Sequence, residues 1–157
     1  MKRWLRNGAL VAGTLFVTSA MFAASAQTQS NDGKNPANPL ITDKWNFRPL
    51  ILVTPDAEQP AYRHLRQQLD ETQDQFTDRD MLLYTVEGNS GTRHGQPMTP
   101  YETQALLEAL GVSPDQGVTT ILVGKDGGKK VQQQGDVELQ DIYSTIDSMP
   151  MRQAGND

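Results

Sequence analysis

Two apolar runs with a helical segment between them constrain the fold of this chain more than any other feature. Residues 49–53 and 81–86 are mainly apolar and are bounded by turn-forming residues, as expected of strands buried on both faces. Between them, large apolar side chains recur at helical spacing, at Tyr62, Leu65, Leu69 and Phe76. A strand–helix–strand unit crosses over right-handed, so this segment predicts two parallel strands.

A second helix is predicted after a polar, glycine-rich stretch at residues 87–98, which we expect to be an irregular loop. Thr99 and Glu102 have the spacing of a capping box, and Pro100 suits the first turn of a helix. Gly111 has the position of a residue that ends this helix.

The C-terminal part of the chain predicts a hairpin and a last helix. Residues 118–123 indicate a third strand, and residues 126–128 indicate a tight turn into a fourth strand near residues 130–133. The apolar stripe of the last helix lies before Pro150, which should end it.

The resulting order, β-α-β-α-β-β-α, predicts an α/β fold and resembles the minimal thioredoxin fold. It would contain a four-stranded mixed sheet with helices on both faces. Small α/β domains of another topology remain an alternative. The domain should span residues 40–153, followed by a C-terminal tail at 154–157.

The first 26 residues have the three-part pattern of a secretory signal peptide. Lys2, Arg3 and Arg6 precede a mainly apolar run, and Ala24-Ser25-Ala26 provides a small-residue cleavage site before Gln27. This predicts a periplasmic or secreted protein without stable membrane insertion, although an uncleaved membrane anchor is the alternative. Residues 27–39 are polar and contain Asn, Gly and Pro throughout, which predicts a disordered linker.

Composition excludes several classes of function. The chain has no cysteine, which excludes a thiol nucleophile, a disulfide framework and cysteine metal sites, and two histidines make a multi-histidine metal centre implausible. The leader holds three of the 14 basic residues and none of the 19 acidic ones, so the rest has a net charge of −8. Such a surface repels phosphate backbones, so we expect no nucleic-acid partner. We also expect no cofactor.

Four short motifs resemble those of a bacterial secreted family of unknown function, the prokaryotic DUDES domain. They lie before the first strand, before the second strand, at the hairpin turn and at the C-terminal end: Trp45 and Arg48; Arg79 and Asp80; Gly124, Lys125, Asp126, Gly127 and Gly128; Asp147, Met149, Pro150, Met151 and Arg152. The family is similar to domains of animal extracellular proteins of the sushi-repeat kind. The resemblance implies a thioredoxin-like or peroxiredoxin-like fold and an oxidoreductase role, but it carries over no set of catalytic residues.

The working edge of a thioredoxin-like fold is where the first strand enters the first helix, because the helix N-terminus lowers the pKa of a thiol there. In this chain Asp56, Ala57, Glu58 and Gln59 stand at the thiol positions, and Thr119 stands where such folds often have a cis-proline. Conventional thiol redox catalysis is therefore excluded.

The same edge can still bind a ligand, since sites in open α/β sheets lie at the ends of the strands. The candidate binding residues are Thr54, Asp56, Glu58, Arg93, His94 and Thr119. The alternative, which the pattern favours, is that Asp56 and Glu58 only cap a helix and that residues 87–98 are solvated surface.

We find no catalytic triad in the sequence, because no nucleophile elbow frames Ser90 or Ser113. We also expect no metal site, because the acidic residues between 70 and 80 lack the loop glycine and terminal glutamate of a calcium-binding loop. The leading hypothesis is a binding or interaction module whose partner is another periplasmic protein or a small ligand. The alternative is a peroxiredoxin-like enzyme that acts without its own thiol or with the thiol of a partner. We expect Trp45 to be a packing plug. Met149, Met151 and Arg152 suggest a docking segment, either onto the domain itself or onto a partner.

Overall fold

The computed structural model describes residues 35–154. The predicted signal peptide, most of the predicted linker and residues 155–157 lie outside the described residues. Seven helices, one of them a short 3-10 turn, and six strands follow in the order α1 Leu40–Asp43, β1 Arg48–Thr54, α2 Pro60–Glu71, α3 Gln73–Asp78, β2 Met81–Glu87, β3 Ser90–Arg93, β4 Gln96–Pro97, α4 Pro100–Leu110, the 3-10 turn Pro114–Gln116, β5 Thr119–Val123, β6 Lys129–Gln134, α5 Leu139–Asp147 and α6 Pro150–Gln153.

The sheet is mixed, with the order β4-β3-β2-β1-β5-β6. β1 and β2 are parallel, as predicted, and every other neighbouring pair is antiparallel. The prediction of four strands is wrong, because the described chain has six.

The two additional strands replace the loop that was expected at residues 87–98. β3 runs back along β2, pairing Glu87 with Ser90 and Tyr84 with Arg93. The hydroxyls of Thr85 and Thr92 face each other at 2.8 Å across this pair. Gly91 is required here because a Cβ atom would come within 2.4 Å of the Oγ1 of Thr103 in α4.

Helices cover both faces of the sheet, as predicted. One apolar cluster joins β1 and β5 to α2 and α5, with Leu52, Leu65 and Ile142 among its members. The other joins the opposite face to α1 and α4, and includes Ile51 and Leu106. All seven residues of β1 are buried, so this strand is the centre of the domain.

Three helix boundaries show where local chemistry governed the fold. The predicted capping box is confirmed, since the Thr99 side chain accepts from the Glu102 amide and the Glu102 carboxylate accepts from the Thr99 amide. The expected single helix from residue 60 to residue 76 breaks at Thr72, whose hydroxyl bonds with Gln68 and Tyr143. Pro150 was expected to end the last helix, but α5 ends earlier, at Asp147, and Pro150 begins the short helix α6.

Within residues 35–154, no helix is both long enough and apolar enough to cross a membrane.

Candidate functional site

The turn between β1 and α2 holds three of the predicted binding residues. Thr54 is fully buried, and its hydroxyl donates to the Asp56 carbonyl oxygen at 2.7 Å. The Asp56 carboxylate accepts from the Glu58 amide and from the Gln59 side chain, both at 2.9 Å. Local bonds thus occupy the Asp56 side chain, which closes the turn before the helix.

Thr119 lies beside this turn but inside the protein. It pairs with Val53 in the sheet and is fully buried. Its hydroxyl has no hydrogen-bond partner among the described residues. Thr119 is therefore close to Thr54 but presents nothing to solvent.

A short hydrogen bond closes the same end of the sheet on the α2 side. The hydroxyl of Tyr62, in the first turn of α2, donates to the carboxylate of Glu87 at the end of β2. Burial, followed by this bond, raises the pKa of Tyr62 to about 12. Tyr62 therefore stays protonated at neutral pH and ties α2 to β2.

The structure separates Arg93 and His94 from the other predicted site residues. β3 carries Arg93 back beside Tyr84, and the His94 amide donates to the Leu83 carbonyl oxygen at 2.8 Å. Both residues consequently lie toward the start of β2, away from the end of β1 where Thr54 stands. The predicted set forms two groups instead of one site.

Arg93 is bound to a buried carboxylate that the sequence analysis did not select. Its guanidinium contacts the carboxylate of Asp43, which is 1% exposed, and donates to the Tyr84 hydroxyl at 3.0 Å. The bond to Asp43 raises the pKa of Arg93 above its ordinary value. Burial and the same carboxylate raise the pKa of Tyr84. The three side chains fix α1 against the sheet.

A groove of about 630 Å³ lies next to His94, between α2, α3 and the start of β2. Its floor is apolar and its rim carries charged and polar groups. The floor includes Leu69, Phe76, Met81 and Leu83. The charged and polar groups of the rim are Arg66, Asp70, Asp80 and His94, and Phe47 lies beside them. Binding sites for small molecules typically have this size and this combination of apolar lining with few polar groups.

The motifs that carry the family resemblance meet in space beyond the same end of the sheet. The Trp45 amide donates to the Lys125 carbonyl oxygen at 2.6 Å, and Arg48 donates to the Arg79 carbonyl oxygen at 2.8 Å. The Lys125 ammonium bonds with the Asp80 carboxylate at 2.8 Å. We call these residues, with Asp147 and Arg152, the motif cluster.

Trp45 itself is not a packing plug, so that prediction is wrong. Its side chain is 60% exposed, and the Lys44 ammonium lies 5.3 Å from the centre of its ring. The amide of Trp45, not its indole, makes the contact with the hairpin.

The C-terminal segment docks onto the domain through Arg152. Its guanidinium donates to the Asp78 carbonyl oxygen at 2.8 Å and contacts the Asp78 carboxylate, while Asp147 lies 3.7 Å away. Arg79 forms a two-bond fork with the same Asp147, at 3.0 and 2.6 Å. Of the two alternatives for this segment, the structure has the intramolecular one.

No sequence pattern marks the groove, because its floor residues have ordinary positions in the apolar stripes of helix and strand. Leu69 and Phe76 were assigned to the core, and Phe47 and Arg66 carried no motif. The 38% exposure of Phe47 follows from how α1 and β1 pack, which a local pattern does not encode.

Residues 39–155 match the family model described as Domain of unknown function (DUF4174). No curated protein and no solved structure matches the chain. Because the family model covers most of the sequence, the chain belongs to the DUF4174 family of domains of unknown function.

Proposed function

We propose that this chain is a secreted binding module of thioredoxin-like fold, related to the DUDES domains. Four strands support this fold, since β2, β1, β5 and β6 lie side by side with the first pair parallel and the others antiparallel. That is the arrangement expected of the order β-α-β-α-β-β-α. In this proposal β3 and β4 are an insertion between β2 and α4 that extends one edge.

The chemistry of the β1–α2 turn argues for binding and against thiol catalysis. The chain has no cysteine, and Asp56 is occupied by bonds within the turn. A peroxiredoxin-like reaction on this scaffold would need the cysteine of another protein. We therefore assign the function to the groove at the other end of β2.

The groove is the observation that carries the proposal. Its apolar floor favours an aromatic or aliphatic ligand, because such a ligand removes the exposed parts of Phe76 and Leu83 from water. Each Å² of apolar surface buried in this way contributes about 25 cal/mol to binding. Arg66 on the rim forms no ion pair with any residue between 35 and 154. We infer that the ligand is a small apolar molecule with one anionic group that meets Arg66.

Titration with the anionic aromatic dye anilinonaphthalene sulfonate tests this proposal. Gln73 is exposed and lines the groove, whereas Gln140 is exposed on α5. The variant Gln73→Trp should fill the groove and raise the dissociation constant of the dye by about tenfold or more. A tenfold change corresponds to ~1.4 kcal/mol of binding free energy. The matched variant Gln140→Trp should bind as the parent does. Equal affinity in all three proteins would refute the groove as the site.

A peroxide-consumption assay separates binding from catalysis. The purified chain with a dithiol donor should consume peroxide no faster than the same dithiol in buffer without the chain. Turnover above that control would replace the binding proposal with the oxidoreductase alternative.

Export is a separate part of the proposal and rests on the leader pattern. Cleavage after Ala26 would leave Gln27 as the first residue. Intact-mass spectrometry of the periplasmic or culture fraction should give the mass of residues 27–157. A mass that includes the leader would favour a membrane-anchored protein.

A further inference from the structure

A small cleft beside the motif cluster has features that the groove and its proposed ligand do not explain. It has a volume of about 220 Å³, roughly seven times the ~30 Å³ that a water molecule occupies in the liquid. It is lined by Arg48, Gly124, Lys125, Asp126, Lys130, Met149, Pro150 and Met151. The cleft is thus sized for a molecule of a few heavy atoms.

Arg48 is the most informative residue of this cleft. Its side chain is 3% exposed, yet the described hydrogen bonds use its guanidinium once, toward the Arg79 carbonyl oxygen. A guanidinium has five N–H donors, so several donors of Arg48 remain available to a ligand in the cleft. The Asp80 carboxylate is 3.7 Å from the nearest nitrogen. Burial lowers the pKa of Arg48 by more than Asp80 raises it.

Two lysines add positive charge at the same place. Lys125 bonds with Asp80 at 2.8 Å and Lys130 with Asp126 at 2.7 Å. Three cations therefore face two carboxylates, which leaves one positive charge uncompensated. The cleft matches a monoanion better than a dianion.

Gly124 makes room for this arrangement. A Cβ atom at this position would come within 2.5 Å of the Lys130 side chain and 2.7 Å of the Asp126 carboxylate. Because Gly124 has no side chain, the aliphatic part of Lys130 packs against its backbone, and the Lys130 ammonium reaches Asp126. The hairpin motif thus has a role in building the cleft as well as in turning the chain.

The remaining wall of the cleft is apolar. Met149, Pro150 and Met151 form it, and Met151 is 51% exposed. A guanidinium pairs with a carboxylate through two parallel hydrogen bonds, and thioether side chains adapt to aliphatic groups. We propose that this cleft binds a short-chain aliphatic carboxylate, with the carboxylate at Arg48 and the alkyl group against Met149 and Met151.

Isothermal titration with sodium butyrate at about pH 8 tests the proposal, with butyramide as the neutral isostere and phosphate, which is mainly the dianion at that pH, as the more highly charged anion. The matched variants are Lys130→Gln, which removes a cation of the cleft, and Lys129→Gln, the neighbouring lysine that instead bonds with Leu110 and Gln132. Butyrate should bind saturably, and Lys130→Gln should weaken it by about tenfold, as expected for loss of a charge-assisted contact. The Lys129→Gln variant should bind butyrate with the affinity of the parent, and butyramide should not bind to the parent.

A second variant tests the apolar side of the cleft. Met151→Glu places a carboxylate at the exposed mouth of the cleft and should abolish butyrate binding without unfolding the protein. The proposal is overturned if butyrate gives no saturable heat, if butyramide binds equally well, if phosphate binds more tightly, or if Lys130→Gln and Met151→Glu bind as the parent does. Dye binding in the groove is a different readout, so failure here leaves that proposal standing.

Discussion

Asp43 and Arg93, which are 50 positions apart in the chain, form an ion pair whose carboxylate is buried. The pair joins α1 to β3, and the Tyr84 hydroxyl donates to the same carboxylate. Because the groove begins beside Arg93, this pair determines one wall of the proposed binding site.

Removing this carboxylate should destabilise the domain. Asp43→Ala leaves Arg93 and Tyr84 without their acceptor, and Arg93 is 37% exposed, so solvent reduces the penalty. We expect a loss of about 1–3 kcal/mol in the free energy of unfolding, measured by urea denaturation. Glu58→Ala, which breaks the exposed pair with Arg63, should cost less than about 1 kcal/mol. Equal losses would mean that the buried pair does not hold α1.

Leu52 tests the position of β1 in the sheet. It is fully buried on the strand between β2 and β5. Leu52→Ala should leave a cavity and cost about 2–5 kcal/mol, which lowers the melting temperature by many degrees. A change of a degree or two would indicate that β1 is peripheral.

The C-terminal segment should contribute to stability through Arg152. Deleting residues 151–157 removes its bonds to Asp78 and its proximity to Asp147. Thermal unfolding should occur at a lower temperature, and Arg152→Ala alone should reproduce most of the decrease. An unchanged melting temperature in both variants would mean that the docked segment contributes nothing.

His64 should make stability depend on pH. Its Nδ1 lies 2.8 Å from the Asp136 carboxylate, and this hydrogen bond raises the pKa of His64 above its ordinary value of 6.5. A pKa raised by folding stabilises the native state fully below 6.5, and the contribution is lost as pH rises through the folded value. As pH rises from below 6.5 through the raised pKa of His64, the melting temperature of the parent should fall, and that of His64→Gln should change less. The same dependence of melting temperature on pH in both proteins would contradict a stabilising bond between His64 and Asp136.

The central elements of the fold could be predicted because short runs of neighbouring residues determine them. The apolar run around Leu52, the capping box of Thr99 and Glu102, and the hairpin turn at Asp126 each follow from a few neighbouring residues. β3 and β4 could not be predicted in this way. They are short, they lie at the sheet edge and they contain Gly91 and Pro97, so no alternating apolar pattern marks them.

The candidate sites were less accessible to sequence analysis, because they depend on contacts between distant segments. Arg93 was selected, but its partner Asp43 gave no pattern that distinguishes a buried acid from a solvated one. The motif residues were recognised through the resemblance, whereas the contact between Lys125 and Asp80, 45 positions apart, required the structure.

The groove, and not the β1–α2 turn, is the proposed ligand site. Amide NMR shifts recorded while anilinonaphthalene sulfonate is added locate the bound dye. We expect the largest shifts at Phe76, Leu83 and Gly95, which line the groove. The largest shifts at Asp56, Glu58 and Gln59, with the groove amides unchanged, would contradict it.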